Sequence, residues 1–341
     1  MAEEILKMVN ITKRFAGITA LDRVQFSCSK GEVHVLAGEN GAGKSTILKI
    51  LAGIHQADEG EIYFHGKKVV IRNPEQSQKL GIAMVFQELT LVGEMTVWEN
   101  IYLNQEPVTR LGRINRKEIK KRILDVMDRY GIHIDPDAPV GSLPVAEQQM
   151  AEILKILVRD PELIILDEPT SALAKKEVEQ LYQIIHNLIA DGKTIIFISH
   201  RLEELFELGD RITVFKDGCY IGTRNMNEIN EDDLIRMMVG RSLNHVFPPP
   251  VCEVDDSQVI FEVKDLADAD HKLNQVSFQV HKGEILGVAG LQGHGQTELL
   301  NAVSGLYPLS GGSIIVNGKQ VGIKNAGQAI ANGIALVPSD R

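Results

Sequence analysis

The sequence predicts an α/β fold in which a largely parallel β-sheet is covered by helices. Short apolar runs, typical of buried strands, alternate along the chain with segments of helical periodicity, which is the pattern of parallel strands joined by crossover helices. A glycine-rich loop lies between one such run at residues 32–36 and a helical segment that opens at residue 46. A damaged copy of this loop follows 252 residues later, so the domain is predicted to occur twice.

The first loop has the sequence expected of a phosphate-binding loop, because GENGAGKST fits the pattern G-x-x-x-x-G-K-[ST]. Glycines let successive N–H groups converge on a phosphate, and the following helix adds its positive end. The Lys44 ammonium would neutralise β- and γ-phosphate oxygens, and the Ser45 hydroxyl would bind Mg²⁺. A chance glycine-rich turn is the alternative, but the strand before the loop and the helix after it are the context that the pattern requires. The predicted ATP-binding residues are Gly38, Glu39, Asn40, Gly41, Ala42, Gly43, Lys44, Ser45 and Thr46.

The second loop lacks the charged group. Gly290 to Glu298 read GLQGHGQTE, which keeps the glycines and the threonine but has Gln296 in place of the lysine. Glutamine is neutral and shorter than lysine, so a positive charge is missing where a triphosphate is most negative. We predict that the first loop holds a triphosphate well and that the second does not.

The duplication extends beyond the loops. Residues 26–89 align without a gap with residues 278–341, and roughly a third of the aligned pairs are identical. Two copies of one nucleotide-binding domain are therefore predicted in tandem. The second copy stops at Arg341, which corresponds to Leu89 of the first, so we expect it to be incomplete.

Changes in composition divide the chain into three parts. Residues 1–240 are predicted to form the first domain, with a helical subdomain at about 96–157, where amphipathic periodicity replaces the strand pattern. Residues 241–258 are polar and contain three consecutive prolines, which is typical of a semi-rigid linker. Residues 259–341 are predicted to form the N-terminal part of the second domain.

Charge argues against a nucleic-acid partner. The chain has a net charge of −10, whereas a protein that binds a phosphate backbone favours a basic face. A basic cluster in the helical subdomain could form an anion or nucleic-acid patch, but Glu118 and Asp125 interleave with it, which favours a solvated helix face. The cluster consists of Arg110, Arg113, Arg116, Lys117, Lys120, Lys121 and Arg122.

A membrane-spanning segment is not expected in this sequence. No apolar run approaches the ~18 residues that a transmembrane helix needs. The N-terminal MAEEILK carries acids and no apolar stretch, so a signal peptide is not expected either. Any transmembrane step would then be the work of another chain.

Two acids at the end of an apolar run form the next predicted site. Leu163 to Thr170 read LIILDEPT, in which a buried strand delivers Asp167 and Glu168 at its end. Asp167 is placed to hold Mg²⁺, usually through water, and Glu168 to polarise the attacking water. A strand end with two solvated acids is the alternative, which the phosphate-binding loop upstream disfavours.

Three further side chains are candidates for the same site. The apolar run TIIFISH ends in His200, which can hydrogen-bond the γ-phosphate, although an isolated strand-end histidine is usually structural. Gln87 ends the run GIAMVFQ and is suited to contact Mg²⁺ or the attacking water. Phe15, in KRFAGITAL, could stack on adenine, and a position in the core is its alternative.

Together these motifs resemble those of ATP-binding cassette (ABC) ATPases over essentially the whole chain. The resemblance implies the P-loop NTPase fold, in which a RecA-like core carries antiparallel β and helical subdomains. It also implies hydrolysis of ATP with Mg²⁺. The matching positions are Phe15 for the adenine-stacking aromatic, Gly38–Ser45 for the Walker A loop, Gln87 for the Q-loop, Asp167 and Glu168 for the Walker B pair, Ser171–Ala174 for the D-loop and His200 for the switch histidine.

The chain further resembles the ATPases of bacterial sugar importers of the ribose, galactose, xylose and autoinducer-2 type. The tandem cassettes, a second loop of the form G-x-x-G-x-G-x-T-E and the run Met238 to Arg241 before the linker carry this resemblance. It implies a membrane permease fed by a sugar-binding protein, and a peripheral position on the cytoplasmic face of the inner membrane. The alternatives are a soluble cassette ATPase acting on ribosomes or DNA, and a nucleotide-binding fragment without a transport role.

Two departures from the family pattern fall at the signature and at the D-loop. The signature L-S-G-G-Q corresponds to Leu143 to Glu147, in which Pro144 has neither the hydroxyl nor the N–H of the consensus serine. The D-loop aspartate is replaced by Ala174. Where a first and a second cassette pair head to tail, within one chain or between two, Pro144 would face the Gln296 loop. Both defects would then fall in one shared site. We expect an asymmetric ATPase in which the Lys44 site is the hydrolytic one.

Overall fold

The structure, a computed structural model, describes residues 3–87, 89–109, 112–239, 255–290 and 294–338. The chain divides into two compact units, Met1–Asn244 and His245–Arg341. Most of the predicted linker at 241–258 lies outside the described residues, and a strand already begins at Asp255. Within the described ranges, no helix is both long enough and apolar enough to cross a lipid bilayer.

The first unit alternates strands with helices, as the sequence predicts. Its strands are β1 (Glu4–Phe15), β2 (Ile18–Ser29), β3 (Val33–Ala37), β4 (Glu59–Phe64), β5 (Lys67–Val69), β6 (Ile82–Val85), β7 (Leu163–Asp167), β8 (Thr194–Ile198), β9 (Arg211–Lys216) and β10 (Cys219–Asn225). Its helices are α1 (Lys44–Leu51), α2 (Pro74–Lys79), α3 (Val97–Tyr102), α4 (Arg116–Tyr130), α5 (Val145–Leu157), α6 (Lys175–Ala190), α7 (Leu202–Leu208) and α8 (Glu231–Val239).

These strands form two sheets. A six-stranded sheet has the order β10-β9-β3-β8-β7-β6, in which only β9 and β10 pair in antiparallel fashion. A four-stranded antiparallel sheet has the order β2-β1-β4-β5. The parallel arrangement places the carboxyl ends of β3, β6, β7 and β8 at one edge of the six-stranded sheet, where the predicted site residues follow.

Two hydrophobic cores hold the six-stranded sheet from its two faces. Alternate residues of β7 point to different cores, with Ile164 and Leu166 in one and Leu163 and Ile165 in the other. A strand that is buried on both faces reads as a continuous apolar run, which is why LIILD and TIIFI are almost free of polar residues. The sheet is therefore a firm support for the residues at its carboxyl edge.

The segment predicted as a helical subdomain, at 96–157, contains α3, α4 and α5. Most of the described residues of the basic cluster lie on α4. Lys120 pairs with Asp137, and Arg122 pairs with Glu118 four residues earlier on the same helix. All four side chains are more than a third exposed. These pairs favour a solvated helix face over an anion-binding patch.

Helix α6 begins at Lys175 without a capping side chain. Its N-cap residue is Ala174, whose methyl group accepts no hydrogen bond. We expect Ala174→Asp to raise the free energy of unfolding by about 1 kcal/mol, because the carboxylate accepts a hydrogen bond from a free N–H group of the first turn. Urea unfolding followed by the fluorescence of Trp98, the only tryptophan, measures the change. An equal gain in the control Ala172→Asp, which adds the charge outside the N-cap position, would contradict the capping explanation.

The second unit repeats the antiparallel part of the first. Its elements are β11 (Asp255–Ala267), β12 (Val276–Lys282), α9 (Gln296–Val303), β13 (Gly311–Val316), β14 (Lys319–Val321) and α10 (Ala326–Ala331). Its sheet has the order β12-β11-β13-β14, which is the order β2-β1-β4-β5 strand for strand. Left-handed backbone conformations recur at Arg23 and Gln275, and at His65 and Asn317, pairs that are each 252 residues apart. These shared details support the predicted duplication.

The second unit differs from the first in its apolar segments. Residues 284–290 form no strand, and Ile285 is 96% exposed, whereas its counterpart Val33 in β3 is 4% exposed. Val337 is likewise 90% exposed, whereas its counterpart Val85 in β6 is 1% exposed. In the first unit β3 pairs with β8 and β9, and β6 pairs with β7. Among the described residues of the second unit there are no counterparts of β7, β8 and β9.

Candidate nucleotide-binding site

The loop at residues 38–43 connects the end of β3 to the start of α1. Gly41 and Gly43 have φ angles of 83° and 99°, in the left-handed region that other residues rarely adopt. A Cβ atom at Gly38 would lie 2.3 Å from the carbonyl oxygen of Phe215 in β9. Glycine is therefore required here by the backbone conformation and by the close approach of the neighbouring strand.

Lys44 is the first residue of α1 and is 7% exposed. Its Nζ donates hydrogen bonds to the carbonyl oxygens of Gly38 at 2.7 Å and Glu39 at 3.0 Å, so the ammonium lies against the loop. Burial lowers the pKa of Lys44, and the negative charges of Glu168 and Asp167 oppose this effect. The ammonium and the positive end of α1 together form a cationic centre suited to an anion.

A cleft of about 370 Å³ lies at this loop and brings most of the predicted residues together. Its lining consists of Ala20, Asn40, Gly41, Ala42, Gly43, Lys44, Ser45, Thr46, Gln87, Glu168 and His200. Phe15, Gly38, Glu39 and Asp167 lie outside this lining. Ala20 was not predicted, since nothing in the sequence distinguishes it from other alanines.

Three polar side chains meet at the carboxyl edge of the parallel sheet. Strands β7 and β8 pair with Asp167 opposite Ile198, so Glu168 and His200 follow adjacent strand ends. The Glu168 carboxylate accepts a hydrogen bond from Nε2 of Gln87 at 2.9 Å and pairs with Nε2 of His200. The Glu168 side chain is 13% exposed and that of His200 is 52% exposed. The structure thus brings the three predicted catalytic residues together. Gln87 lies two positions beyond the end of β6 and so follows the strand instead of ending it.

Asp167 is the last residue of β7 and is 5% exposed. Burial raises its pKa, the neighbouring Glu168 carboxylate raises it further, and the charges of Lys44 and Lys49 oppose these effects. The ionised form of this carboxyl group is therefore destabilised by its surroundings. A cation bound nearby would stabilise it.

A buried carboxylate behind these residues was not predicted. Glu204 in α7 is 3% exposed and accepts hydrogen bonds from Oγ1 of Thr170 at 2.7 Å and Oγ of Ser199 at 2.5 Å. The sequence LEELFEL contains only a weak signal for it, because Glu204 precedes Leu208 by four residues and so shares its buried helix face.

Phe15 ends strand β1 and is 39% exposed, which disfavours the alternative of a core position. Its ring lies 5.0 Å from that of His55, centroid to centroid, in an edge-on arrangement. The Lys13 ammonium lies 5.2 Å from the Phe15 centroid. Stacking of this ring on adenine stays a prediction.

The second loop keeps the local geometry of the first without its charge. Gly295 has a φ of 94° directly before α9, as Gly43 has a φ of 99° directly before α1. Gln296 begins α9, and its side-chain amide occupies the space that a Cβ atom at Gly290 would need. Residues 291–293 lie outside the described part of the chain.

The segment aligned with the signature forms the start of α5. Pro144 is its N-cap residue, with no side-chain hydrogen bond. Val145, at the first helical position, is 50% exposed. The donors that this segment offers are therefore backbone N–H groups of the helix start, without a hydroxyl.

Known proteins are similar to this chain in sequence and in structure. The sequence pattern of the ABC transporter family matches residues 21–171 and 273–341, and the starts of these two segments are 252 residues apart. A ribose/galactose/methyl galactoside import ATP-binding protein of Burkholderia cenocepacia is 45% identical over 341 residues, which are 100% of this chain and 64% of that protein. A ribose import ATP-binding protein of Rubrobacter xylanophilus is 42% identical over 339 residues, which are 99% of this chain and 68% of that protein. The chain thus spans about two thirds of the length of these relatives.

Solved structures agree with the sequence comparison. A nucleotide-free ATP-binding cassette from an ABC transporter matches 72% of this chain and 100% of its own, with a TM-score of 0.60 and 25% identity. An ABC transporter cassette in its ADP conformation matches 70% of this chain and 99% of its own, with a TM-score of 0.61 and 27% identity. These neighbours confirm the predicted P-loop NTPase fold. The chain therefore belongs to the ABC transporter family, as a protein built on its ATP-binding cassette.

Proposed function

We propose that the first unit binds MgATP at the Lys44 loop and hydrolyses it, and that this reaction energises import of a sugar or sugar-like solute through a separate membrane permease. The observation that carries the proposal is the meeting of Glu168, Gln87 and His200 with the cationic loop in one cleft. A phosphate-binding loop alone supports binding of a nucleotide. A carboxylate beside two further polar groups adds the means to orient a water molecule for attack.

The side chains near the loop fit a magnesium ion. Ser45 offers a hydroxyl, Gln87 an amide oxygen and Asp167 a carboxylate, and such hard oxygen ligands are those that Mg²⁺ prefers. Because Gln87 donates to Glu168 through Nε2, its oxygen remains available as a ligand. Bound together with ATP, the ion would neutralise phosphate charge.

Glu168 is the residue that we expect to orient the attacking water. The Gln87 amide and the His200 imidazole hold its carboxylate at the edge of the cleft. From there it can accept a hydrogen bond from a water molecule that faces the γ-phosphate. His200 is half exposed and is placed to donate a hydrogen bond to the γ-phosphate.

The role in import rests on the relatives. The names of the Burkholderia and Rubrobacter proteins describe import of ribose, and the former also of galactose or methyl galactoside. We extend this role to the present chain because the aligned regions, at 42–45% identity, cover 99–100% of it. Its partners would be permease subunits and, through them, a sugar-binding protein, with the chain on the cytoplasmic face of the inner membrane. The net charge of −10 argues against a nucleic-acid partner.

Titration of the full chain with MgATP tests the nucleotide part of the proposal. We expect one nucleotide per chain at concentrations that saturate the Lys44 loop, because Gln296 leaves the second loop without its positive charge. Equilibrium dialysis measures the stoichiometry. Two equivalent sites would refute the assignment of the second loop as degenerate.

Co-purification tests the transport part independently. When the chain is co-expressed with the tagged permease of a ribose-type importer from the same organism, we expect it to be retained with the permease. A Lys44→Ala variant should also be retained, since Lys44 lies in the nucleotide cleft. A chain that binds MgATP but is retained by no such permease would contradict the transport role.

A further inference from the structure

We propose that Glu204 is a positioning residue for hydrolysis, whose buried carboxylate holds the two loops that carry Glu168 and His200. Glu204 does not line the nucleotide cleft and belongs to none of the motifs that mark the site. The inference rests on the proposed hydrolysis at the Lys44 loop. It assigns a role in that reaction to a residue that acts through others.

The pairing that fixes β7 and β8 stops short of the reacting groups. Its last pair is Asp167 and Ile198. Glu168 follows with a φ of 51°, a left-handed conformation that glutamate rarely adopts, and its N–H donates to the carbonyl oxygen of Ile198 at 3.0 Å. Such a conformation persists only where the surrounding contacts hold it.

Glu204 supplies contacts to both loops through one oxygen atom. Its Oε2 accepts hydrogen bonds from Oγ1 of Thr170 at 2.7 Å and from Oγ of Ser199 at 2.5 Å. Thr170 is two residues after Glu168, and Ser199 is directly before His200. The carboxylate therefore ties the two strand ends together immediately behind the groups that meet in the cleft.

Burial makes these bonds strong. Thr170 is 2% exposed, Glu204 3% and Ser199 7%, so water does not compete for the carboxylate. Arg201 completes the network, because its N–H donates to Oγ of Ser199 at 3.0 Å and its guanidinium donates to Oε1 of Glu204 at 3.3 Å. These hydrogen bonds compensate the cost of burying the carboxylate. Removal of the carboxylate would leave two buried hydroxyl groups without their acceptor.

Hydrogen exchange in the full chain tests whether Glu204 holds the loops. We expect Glu204→Ala to speed amide exchange at residues 168–171 and 199–201 by about tenfold or more, with β7 and β8 unchanged. Glu204→Gln keeps an oxygen that can accept both hydroxyls and should retain most of the protection. The matched control is Glu203→Ala, an exposed acid on the same helical turn, which should change nothing.

Measurement of turnover tests whether the contacts of Glu204 with the two loops matter for ATP hydrolysis. Because Pro144 offers no signature hydroxyl, the rate is measured in the restored-signature chain, defined as the chain with Pro144→Ser, Val145→Gly and Ala146→Gly. In that chain we expect Glu204→Ala to lower kcat by about ten- to a hundredfold, because displaced catalytic loops lose their alignment. The Kd for MgATP should stay within about twofold, since Lys44 is held by its own loop.

The outcomes separate this inference from the proposed function. The inference is overturned if Glu204→Ala leaves amide exchange in the two loops unchanged. It is also overturned if Glu204→Ala leaves kcat unchanged while Glu168→Gln abolishes turnover. Either result leaves the proposed function standing. If the restored-signature chain shows no turnover that depends on Glu168, the proposed hydrolysis fails, and the exchange measurement alone decides whether Glu204 holds the loops. If Glu204→Ala does not fold, Thr170→Val and Ser199→Ala replace it, and normal loop exchange in both overturns the inference.

Discussion

Replacement of Lys44 by alanine is expected to weaken MgATP binding to the full chain by about 10- to 150-fold. A hydrogen bond to a charged group contributes about 1.5–3 kcal/mol, and each 1.4 kcal/mol corresponds to roughly a tenfold change in affinity. The Lys44 ammonium is buried against the loop, where it donates hydrogen bonds to the carbonyl oxygens of Gly38 and Glu39. Isothermal titration with MgATP measures the loss.

The duplicated sequence supplies a matched control for this prediction. Gln296 occupies the equivalent position in the second loop, and we expect Gln296→Ala to leave the affinity unchanged. Lys30→Ala removes one exposed positive charge outside the cleft and should have no effect either. An unchanged Kd in Lys44→Ala, or an equal loss in Gln296→Ala, would show that the first loop is not the principal site.

The phosphate-binding loop could be predicted from sequence because its geometry depends on residues close together in the chain. A left-handed conformation before the helix requires glycine, and the requirement is the same at Gly43 and at Gly295. The approach of Glu168 to His200 could be predicted only in outline. Parallel strands share a carboxyl edge, but that rule does not say that Glu168 lies between Gln87 and His200.

Features that depend on distant residues could not be predicted. In the sequence Glu204 differs from Glu203 only by its four-residue spacing from Leu208, and its burial is decided partly by Thr170, which lies 34 residues away. Alignment of Ile285 with Val33 indicates a buried strand, yet Ile285 is almost fully exposed. Burial of a strand depends on its pairing partners, and the described residues of the second unit do not supply them.

The chain alone is expected to hydrolyse ATP slowly, well below the roughly 1 s⁻¹ at the lower end of typical enzyme turnover. In cassette ATPases the transition state at the γ-phosphate is stabilised by donors that a partner's signature brings to it. If two copies of this chain pair through their first units, the segment that meets each Lys44 site starts at Pro144. That residue has no hydroxyl and no N–H to donate. Binding of ATP would then proceed without efficient hydrolysis.

Restoring the signature should reverse this defect. We expect the restored-signature chain to release phosphate at least about tenfold faster than the unmodified chain. In other enzymes, removal of one hydrogen-bond donor that stabilises the transition state lowers the rate by about a hundredfold or more. Glu168→Gln should remove that gain. In the unmodified chain the same substitution should change the slow rate little, because that rate is limited by alignment of the γ-phosphate and not by activation of water. Steady-state phosphate release measures both rates, with Trp98 fluorescence as a check that each variant is folded. Vigorous, Glu168-dependent turnover by the unmodified chain would mean that the helix N–H groups after Pro144 are sufficient and that the missing hydroxyl is not what limits hydrolysis.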